Sequence, residues 1–472
     1  MTEDIVARFG DLTAVVVGDV MLDSWLRGSS TRMAQEAPVP VVTLEAIDDQ
    51  PGGAANAAVN LAALGAHVHM LGVTGADPAG ATLNASLMSH GVDGLAICRN
   101  RRTAVKRRVV TGSQIVARYD EEDRSPIPES AERELIERIR ELGPGADVVV
   151  VCDYGAGVCT PAVRRALLDL RLDLVVDAHE VGPWRECRPA AVLPNFREVL
   201  RLLGEPEQEG DRVAFLTARS QRLLDETGAR RVVTTLDGEG ALLHRRGREP
   251  YRTRATPAPD QMSTGAGDTF TAAFALALAA GAGEEIAADL AQAAAGVVVR
   301  RPGTAVCCRD DLLRALRRRG AVSAARLAEL VAEERALGRR VVFTNGCFDV
   351  LHRGHVACLE EAAGLGDVLV VAVNGDDSVA RLKGPDRPIN SCEDRVAVLA
   401  ALGCVDHITV FDGDTPEELL RLVRPDVYVK GGDYHPDLLP EAELVRELGG
   451  EVRVLGYVQD RSTTAIVNRI RG

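Results

Sequence analysis

The chain has 472 residues, 46% hydrophobic and 26% charged, with a formal net charge of −14. That length supports two to four domains with real cores, the balance excludes a disordered chain, and the acidic excess argues against a nucleic-acid binder. Of the 55 basic residues, only Lys106, Lys383 and Lys430 are lysines. Such a bias reads as GC-rich codon usage, so each lysine that persists marks a place where arginine does not serve.

The start, Met1 to Gly10, carries acids and has no apolar core of signal-peptide length. The longest apolar run, Phe270 to Ala282, is too short to span a bilayer. The ten cysteines form no C-x-x-C pair and are expected as free thiols of a cytoplasmic protein with no membrane partner.

Apolar β-branched runs predict strands at Ala14–Val17, Val148–Cys152, Leu174–Asp177, Arg231–Thr235, Val341–Thr344, Val368–Val373 and Val427–Val429. Helical periods lie between them at Ser130–Leu142, Pro161–Leu170 and Pro416–Val423. Strands alternating with helices imply an α/β chain with buried parallel sheets. A charged helix end, Asp310–Gly320, then an amphipathic helix, Ser323–Leu337, then a fresh strand set a boundary near 320. The expectation is two domains, 1–318 and 323–472.

In the first domain, Ser263-Thr-Gly-Ala-Gly-Asp-Thr269 opens a helix, Phe270–Ala280. A small-residue turn there presents free N–H groups to an anion, and an aspartate can take a proton from an attacking hydroxyl. Alone, this motif also reads as an ordinary N-cap. Its company is Gly52-Gly53-Ala54-Ala55-Asn56, where backbone can approach a ligand, and Asn195-Phe-Arg-Glu198, two oxygen donors able to share a hydrated Mg²⁺. Gly238 and Gly240 follow a strand as a nucleotide-side turn, and Asp19 and Asp23 offer carboxylates to sugar hydroxyls.

These segments, in this order, resemble the ribokinase-like (PfkB) carbohydrate kinases over residues 10–315. The resemblance implies a three-layer α/β domain with Asp268 as catalytic base and Gly265, Ala266 and Gly267 as the anion hole. It places Asn195 and Glu198 on the ATP and Mg²⁺ side, with Asp19, Gly53, Asn56 and Lys106 on the sugar. Two lysines typical of the resembled kinases are absent, at Ala156 and His179, and Ser263 stands where they have aspartate. The alternative is therefore a degenerate or differently specific kinase-like domain. Such kinases often pair through a small lid, which the region Val105–Arg118 would supply in a homodimer.

In the second domain, Val341-Val-Phe-Thr-Asn-Gly-Cys-Phe-Asp-Val-Leu-His-Arg-Gly-His355 is the strongest signal. A strand ends at Thr344, turns at Asn345-Gly346 and enters a helix carrying His352 and His355, three apart on one face. Gly354 would let phosphate reach the backbone. Zinc is disfavoured, because there is no H-E-x-x-H spacing and no third ligand nearby. Asp376 ends a later strand, Lys383 and Arg387 lie in a basic loop, and Lys430-Gly431 ends another strand. Ser462-Thr463-Thr464 precedes the last helix, where N-terminal amides suit an anion.

Together these resemble the cytidylyltransferase-like nucleotidyltransferases over 341–472, with a doubly wound, Rossmann-like sheet. The resemblance implies ATP phosphates at His352, His355 and the 462–464 turn, nucleotide contacts at Asn345, Gly346, Phe348, Asp376 and Lys430, Lys383 on the acceptor or the triphosphate, and Arg387 toward the acceptor. Both halves in one chain resemble the bacterial bifunctional heptose kinase–adenylyltransferases. That implies phosphorylation of heptose 7-phosphate at C1, and adenylyl transfer from ATP to heptose 1-phosphate.

Overall fold

A computed structural model describes residues 2–92, 94–98, 100–112, 114–206, 210–253, 255, 263–301, 303–317, 321–432 and 439–455. The chain divides into two compact units, Met1–Leu313 and Arg314–Gly472. The sequence reading set this boundary slightly later, beyond the charged helix Arg309–Arg317.

The first unit is built on an eight-stranded sheet. His67–Leu71, Thr13–Gly18, Val148–Asp153, Leu174–Ala178, Ala191–Val192 and Arg231–Thr235 run parallel, in that spatial order. Ala241–Arg245 and Arg248–Arg252 close one edge as antiparallel strands. Alternation decides which side chain faces which layer. Val15, Val17, Val149 and Val151 pack with Leu135, Ile139, Val163 and Leu167 from helices Glu129–Leu142 and Pro161–Leu170. The opposite face carries the alanine-rich helices Ala54–Ala63 and Ala266–Ala279. Their small side chains let the two helices pack on one another, and that contact brings Asn56 to Asp268.

A separate four-stranded sheet has the order Pro40–Gly53, Val20–Met33, Ala104–Thr111, Gln114–Glu121. Burial fades along Val20–Met33 from a buried start to an exposed end. The lid region expected from the sequence, Val105–Arg118, falls in the last two of these strands. The sequence did not show that the chain just after the first strand, and the chain leading into Gly52-Gly53, form the sheet's two long strands.

The second unit has a six-stranded, all-parallel sheet, in the order Ala321–Val322, His407–Phe411, Val368–Asn374, Val341–Gly346, Val427–Gly431, Glu451–Leu455. Val342, Leu369 and Val371 face Leu359, Ala362 and Leu399 on one side. Val341, Phe343 and Val370 face Leu327, Val331 and Leu420 on the other. The chain runs outward from Val341–Gly346 in one direction, then returns to its other side. The carboxyl end of that strand is therefore the switch point where open α/β sheets bind ligands.

Candidate active sites

In the first unit, a cavity of about 250 Å³ lies between the main sheet and the four-stranded sheet. Its lining includes Asp23, Gly53, Lys106, Arg108, Tyr154, Asp177, His179, Asn195, Glu198, Gly265, Gly267 and Asp268. Asp268 sits in the first turn of the helix Ala266–Ala279, whose N-cap is Gly265 at φ 86°. One Asp268 oxygen accepts from Asn56 Nδ2 at 2.7 Å, and the other accepts from the Tyr154 hydroxyl at 2.8 Å. Burial raises its pKa to about 6, opposed by those two hydrogen bonds. A carboxylate poised there is a working base near neutral pH.

Several residues picked from the sequence hold this site rather than line it. Asp19 is 1% exposed, and its carboxylate accepts backbone N–H groups of Tyr154, Ala156 and Val158 at 2.8, 3.0 and 3.1 Å. It fixes the loop carrying Tyr154. Asn56 is also 1% exposed and is bound to Asp268 and to Asn60. Asp23 lines the cavity but is paired with Arg108 at 2.9 Å and accepts from Thr304 at 3.1 Å. Gly52 lies directly against the Asp23 carboxylate, where a Cβ would stand 2.9 Å from its Cγ. Gly238 and Gly240 lie just beyond Thr235, which is the residue of that segment that lines the cavity. Ala266 opens the helix beside Gly267 without lining the cavity.

Asn195 and Glu198 form a capping box on the helix Phe196–Leu203, each side chain accepting the other's backbone N–H. Glu198 is 5% exposed, and His179 Nδ1 lies 2.8 Å from its Oε1. Asn195, Glu198, Asp177 and Asp268 line the same cavity. That all-oxygen set suits a hard Mg²⁺ held through water. Among the described residues no group of three or more His, Cys, Asp and Glu forms a direct metal cluster.

Sequence reasoning missed Arg108, Tyr154 and Asp177. Arg108 was hidden among many arginines, and the other two meet Asp268 only through the fold. Asp177 has its pKa raised to about 7 by burial and then by Asp268 and Glu198.

In the second unit, His352 is the N-cap of the helix Arg353–Ala363 rather than a residue within it. Its Nδ1 accepts the Gly354 N–H at 3.1 Å. That bond leaves Nε2 as the protonated nitrogen of the neutral ring, and it engages the Gly354 amide that sequence reasoning left open for phosphate. The His352 and His355 rings stack at 3.9 Å, and Phe348 lies 5.5 Å from His355. Burial, then the neighbouring His352 and Lys383, lowers the His355 pKa to about 4. His355 is therefore neutral at physiological pH. Gly346 leaves room for the Phe348 ring, which a Cβ would meet at 3.1 Å.

The loops around these histidines are tied by two buried charges that the sequence did not single out. Asp349 is 0% exposed, pairs with Arg387 and accepts the Ile389 N–H at 2.6 Å. Arg387 is thus oriented by Asp349 through its Nη1. Arg395 is 1% exposed and donates to the carbonyls of Asn374 at 2.7 Å and Asn390 at 3.1 Å, and to Asp376 at 2.6 Å. Asn345 accepts from Tyr428 at 2.8 Å and from Lys430 at 2.9 Å. Gly431 packs against Cys358, where a Cβ would meet the sulfur at 2.9 Å. Lys383, at the exposed end of the helix Asp376–Lys383, contributes its charge toward His355. Ser462, Thr463 and Thr464 lie outside the described residues.

The chain matches the pfkB family of carbohydrate kinases over residues 12–163 and 180–311, and the cytidylyltransferase-like family over 343–470. It is 43% identical to the bifunctional protein HldE of Azotobacter vinelandii (strain DJ / ATCC BAA-1303), over 98% of both chains. It is 42% identical to the bifunctional protein HldE of Pseudomonas aeruginosa (strain UCBPP-PA14), again over 98% of both. Phosphofructokinase-2 from Escherichia coli shares the fold of the first unit, with a TM-score of 0.54 and 22% identity, covering 64% of this chain and 97% of that one. Arabidopsis thaliana ribokinase is similar at a TM-score of 0.53 and 22% identity, covering 65% of this chain and 98% of that one. This chain belongs to the family of the bifunctional protein HldE, an enzyme built of a pfkB carbohydrate kinase unit followed by a cytidylyltransferase-like nucleotidyltransferase unit.

Proposed function

We propose that the first unit phosphorylates D-glycero-β-D-manno-heptose 7-phosphate at C1 with ATP. We propose further that the second unit transfers adenylyl from ATP to heptose 1-phosphate, releasing pyrophosphate and ADP-heptose. The observation that carries the kinase reading is Asp268, a part-buried carboxylate poised near neutral pH at a helix start, in a cavity that also holds Lys106 and Arg108. Asp268 removes the proton of the C1 hydroxyl as that oxygen attacks the γ-phosphorus. The Gly265–Gly267 amides face the developing charge, and Lys106 neutralises phosphate. Asn195 and Glu198 are suited to hold Mg²⁺ through water, and the ion would supply charge neutralisation at the phosphates.

Adenylyl transfer needs no base, because a sugar phosphate is already anionic. The Nε2–H of His352, the neutral His355 and the Lys383 ammonium then act by positioning and by neutralising charge on the α-phosphate and on departing pyrophosphate. Lys430 and Asp376 border the nucleotide at the strand ends.

The four-stranded sheet exposes Met33, Leu44, Ile47, Ile115, Val116 and Tyr119. We assign this apolar face to a homodimer contact of the kinase unit, which light scattering on the eluted full chain tests. Among the described residues no helix is long and apolar enough to cross a membrane. The ten cysteines are free, which suits the reducing cytoplasm.

The test is incubation of the full chain with ATP, Mg²⁺ and heptose 7-phosphate, read by mass spectrometry. A heptose bisphosphate is expected, and ADP-heptose once a phosphatase removes the 7-phosphate. Formation of ADP-heptose from heptose 1-phosphate without any bisphosphate in the first incubation would favour the degenerate kinase unit and overturn the first half.

A further inference from the structure

A second cavity, of about 510 Å³, lies in the first unit at the far end of the main sheet from Asp268. It borders Leu174 and Arg230, at the amino ends of the strands Leu174–Ala178 and Arg231–Thr235. The kinase cavity borders Asp177 and Thr235, toward the carboxyl ends of the same strands. We propose that this second cavity binds a nucleoside diphosphate, its phosphates on Arg171 and Arg188 and its ring against Leu168 and Leu172.

Charge selects an anion. Arg171, Arg188, Arg230 and Arg246 border the cavity, against one lining carboxylate, Asp173. In a chain of net charge −14, a basic concavity focuses the field on negative ligands. Arg230 is paired with Asp173, and Arg246 with Asp225 at 2.7 Å. The guanidinium groups of Arg171 and Arg188 have no hydrogen bond or ion pair among the described residues. Two forks are thus available for two phosphates, each able to bind in bidentate fashion. A hard metal ion is disfavoured, because the single carboxylate is already engaged.

The backbone points the same way. Three helical segments end beside the cavity: Pro161–Leu170, Gly182–Cys187 and Ser220–Thr227. The residue after each is left-handed: Arg171 at φ 54°, Arg188 at φ 44° and Gly228 at φ 64°. Glycine is the ordinary residue at such a cap. Two of the three caps therefore keep an arginine where the backbone favours no side chain. Helix carbonyl ends attract cations, and Arg246 answers that need by donating to the Leu224 carbonyl at 3.4 Å. Arg171 and Arg188 bond no described carbonyl through their side chains, so their charge is left for the cavity.

Shape and polarity set the rest of the ligand. Leu168, Leu172 and Cys187 are half-buried on the wall, with Leu167 and Ala229 buried behind them. A free phosphate would leave that apolar surface wet. The volume falls in the range of small-molecule sites, about 300–1,000 Å³. A sugar body would call for several acceptors, whereas a flat base is served by leucine and by guanidinium stacking.

The test is hydrogen–deuterium exchange of the full chain with ADP, read on segments 167–174, 186–190 and 227–231. ADP should slow exchange there, and a titration gives an apparent Kd for those segments alone. ADP also enters the nucleotide sites, so the segment carrying Asp268 is followed as an internal reference. Arg171→Gly and Arg188→Gly each remove a guanidinium and ease the left-handed backbone, so thermal unfolding should not fall. Each is expected to weaken the apparent Kd at the second cavity roughly 10-fold, with exchange at Asp268 responding to ADP as before. Protection that persists unchanged in both variants overturns the site, because it then reaches these segments from elsewhere. Absence of protection at millimolar ADP overturns it as well. Pyrophosphate and adenosine, each tested alone, should protect less than ADP. Pyrophosphate protecting as strongly as ADP overturns the nucleoside, and adenosine doing so overturns the role of the arginines. No heptose is present, so the outcome does not depend on the sugar substrate.

Discussion

Asp268 concentrates the chemistry of the kinase unit in one carboxylate. A general base contributes about 10²–10⁴-fold, so Asp268→Asn is expected to reduce heptose phosphorylation by about that factor in a coupled ADP-release assay. Asp177 makes a prediction about stability. Its folded pKa of about 7 lies above the ordinary 3.8. Its stabilising contribution is therefore fully present below about pH 4 and is lost as pH rises through 7. Asp177→Asn should raise the unfolding free energy by about 1–2 kcal/mol at alkaline pH and by little at acid pH. Denaturant titrations at the two pH values check this.

At the scale of elements, the site depends on how closely two helices approach. Gly265 has φ 86°, and a Cβ there would meet Asn56 Nδ2 at 2.4 Å. Gly265→Ala combines left-handed strain with displacement of a side chain that holds Asp268. It should cost about 2 kcal/mol and most of the kinase activity, read by thermal unfolding and turnover on the same sample. In the second unit, Arg395 joins the loop after Val341–Gly346, the end of Val368–Asn374 and the segment at Asn390. Arg395→Met leaves buried carbonyls unsatisfied, so a loss of about 3 kcal/mol is expected. Adenylyl transfer should fall with it, and a direct assay of ADP-heptose from heptose 1-phosphate measures that loss. The motifs around Asp268 and His352 were legible in the sequence because each is a short, contiguous turn. Arg395 was not, because most of its partners lie far along the chain and nothing local marks a buried arginine among 52.

At the scale of the whole molecule, the two chemistries should separate by pH. Asp268 must be ionised, and its pKa is about 6, so phosphorylation is expected to decline as pH falls through 6. His355 is already neutral down to about 4, so its titration leaves adenylyl transfer level over the same range. Assaying both activities of one preparation between about pH 5 and 8 tests the contrast, and a shared acid limb contradicts it. The three lysines also divide at this scale. Lys106 lines the kinase cavity, Lys383 lies exposed with its charge toward His355, and Lys430 is tied to Asn345.

The amino-acid sequence alone determined the α/β class, the alternation of strands and helices, both families and the turns that carry Asp268 and the His352–His355 pair. These are local properties: apolar runs make buried strands, and small or polar residues at helix starts expose amides. The tertiary structure decided which polar residues are tied to one another. Asp19, Asn56 and Arg387 read as ligand contacts in the sequence, yet each is also engaged by a neighbour that only folding supplies. Tyr154 and Asp177 read as nothing in particular, yet parallel strand pairing sets them beside Asp268. A hydrogen bond forms over about 3 Å, and sequence spacing does not specify distance on that scale once a pair lies on different elements.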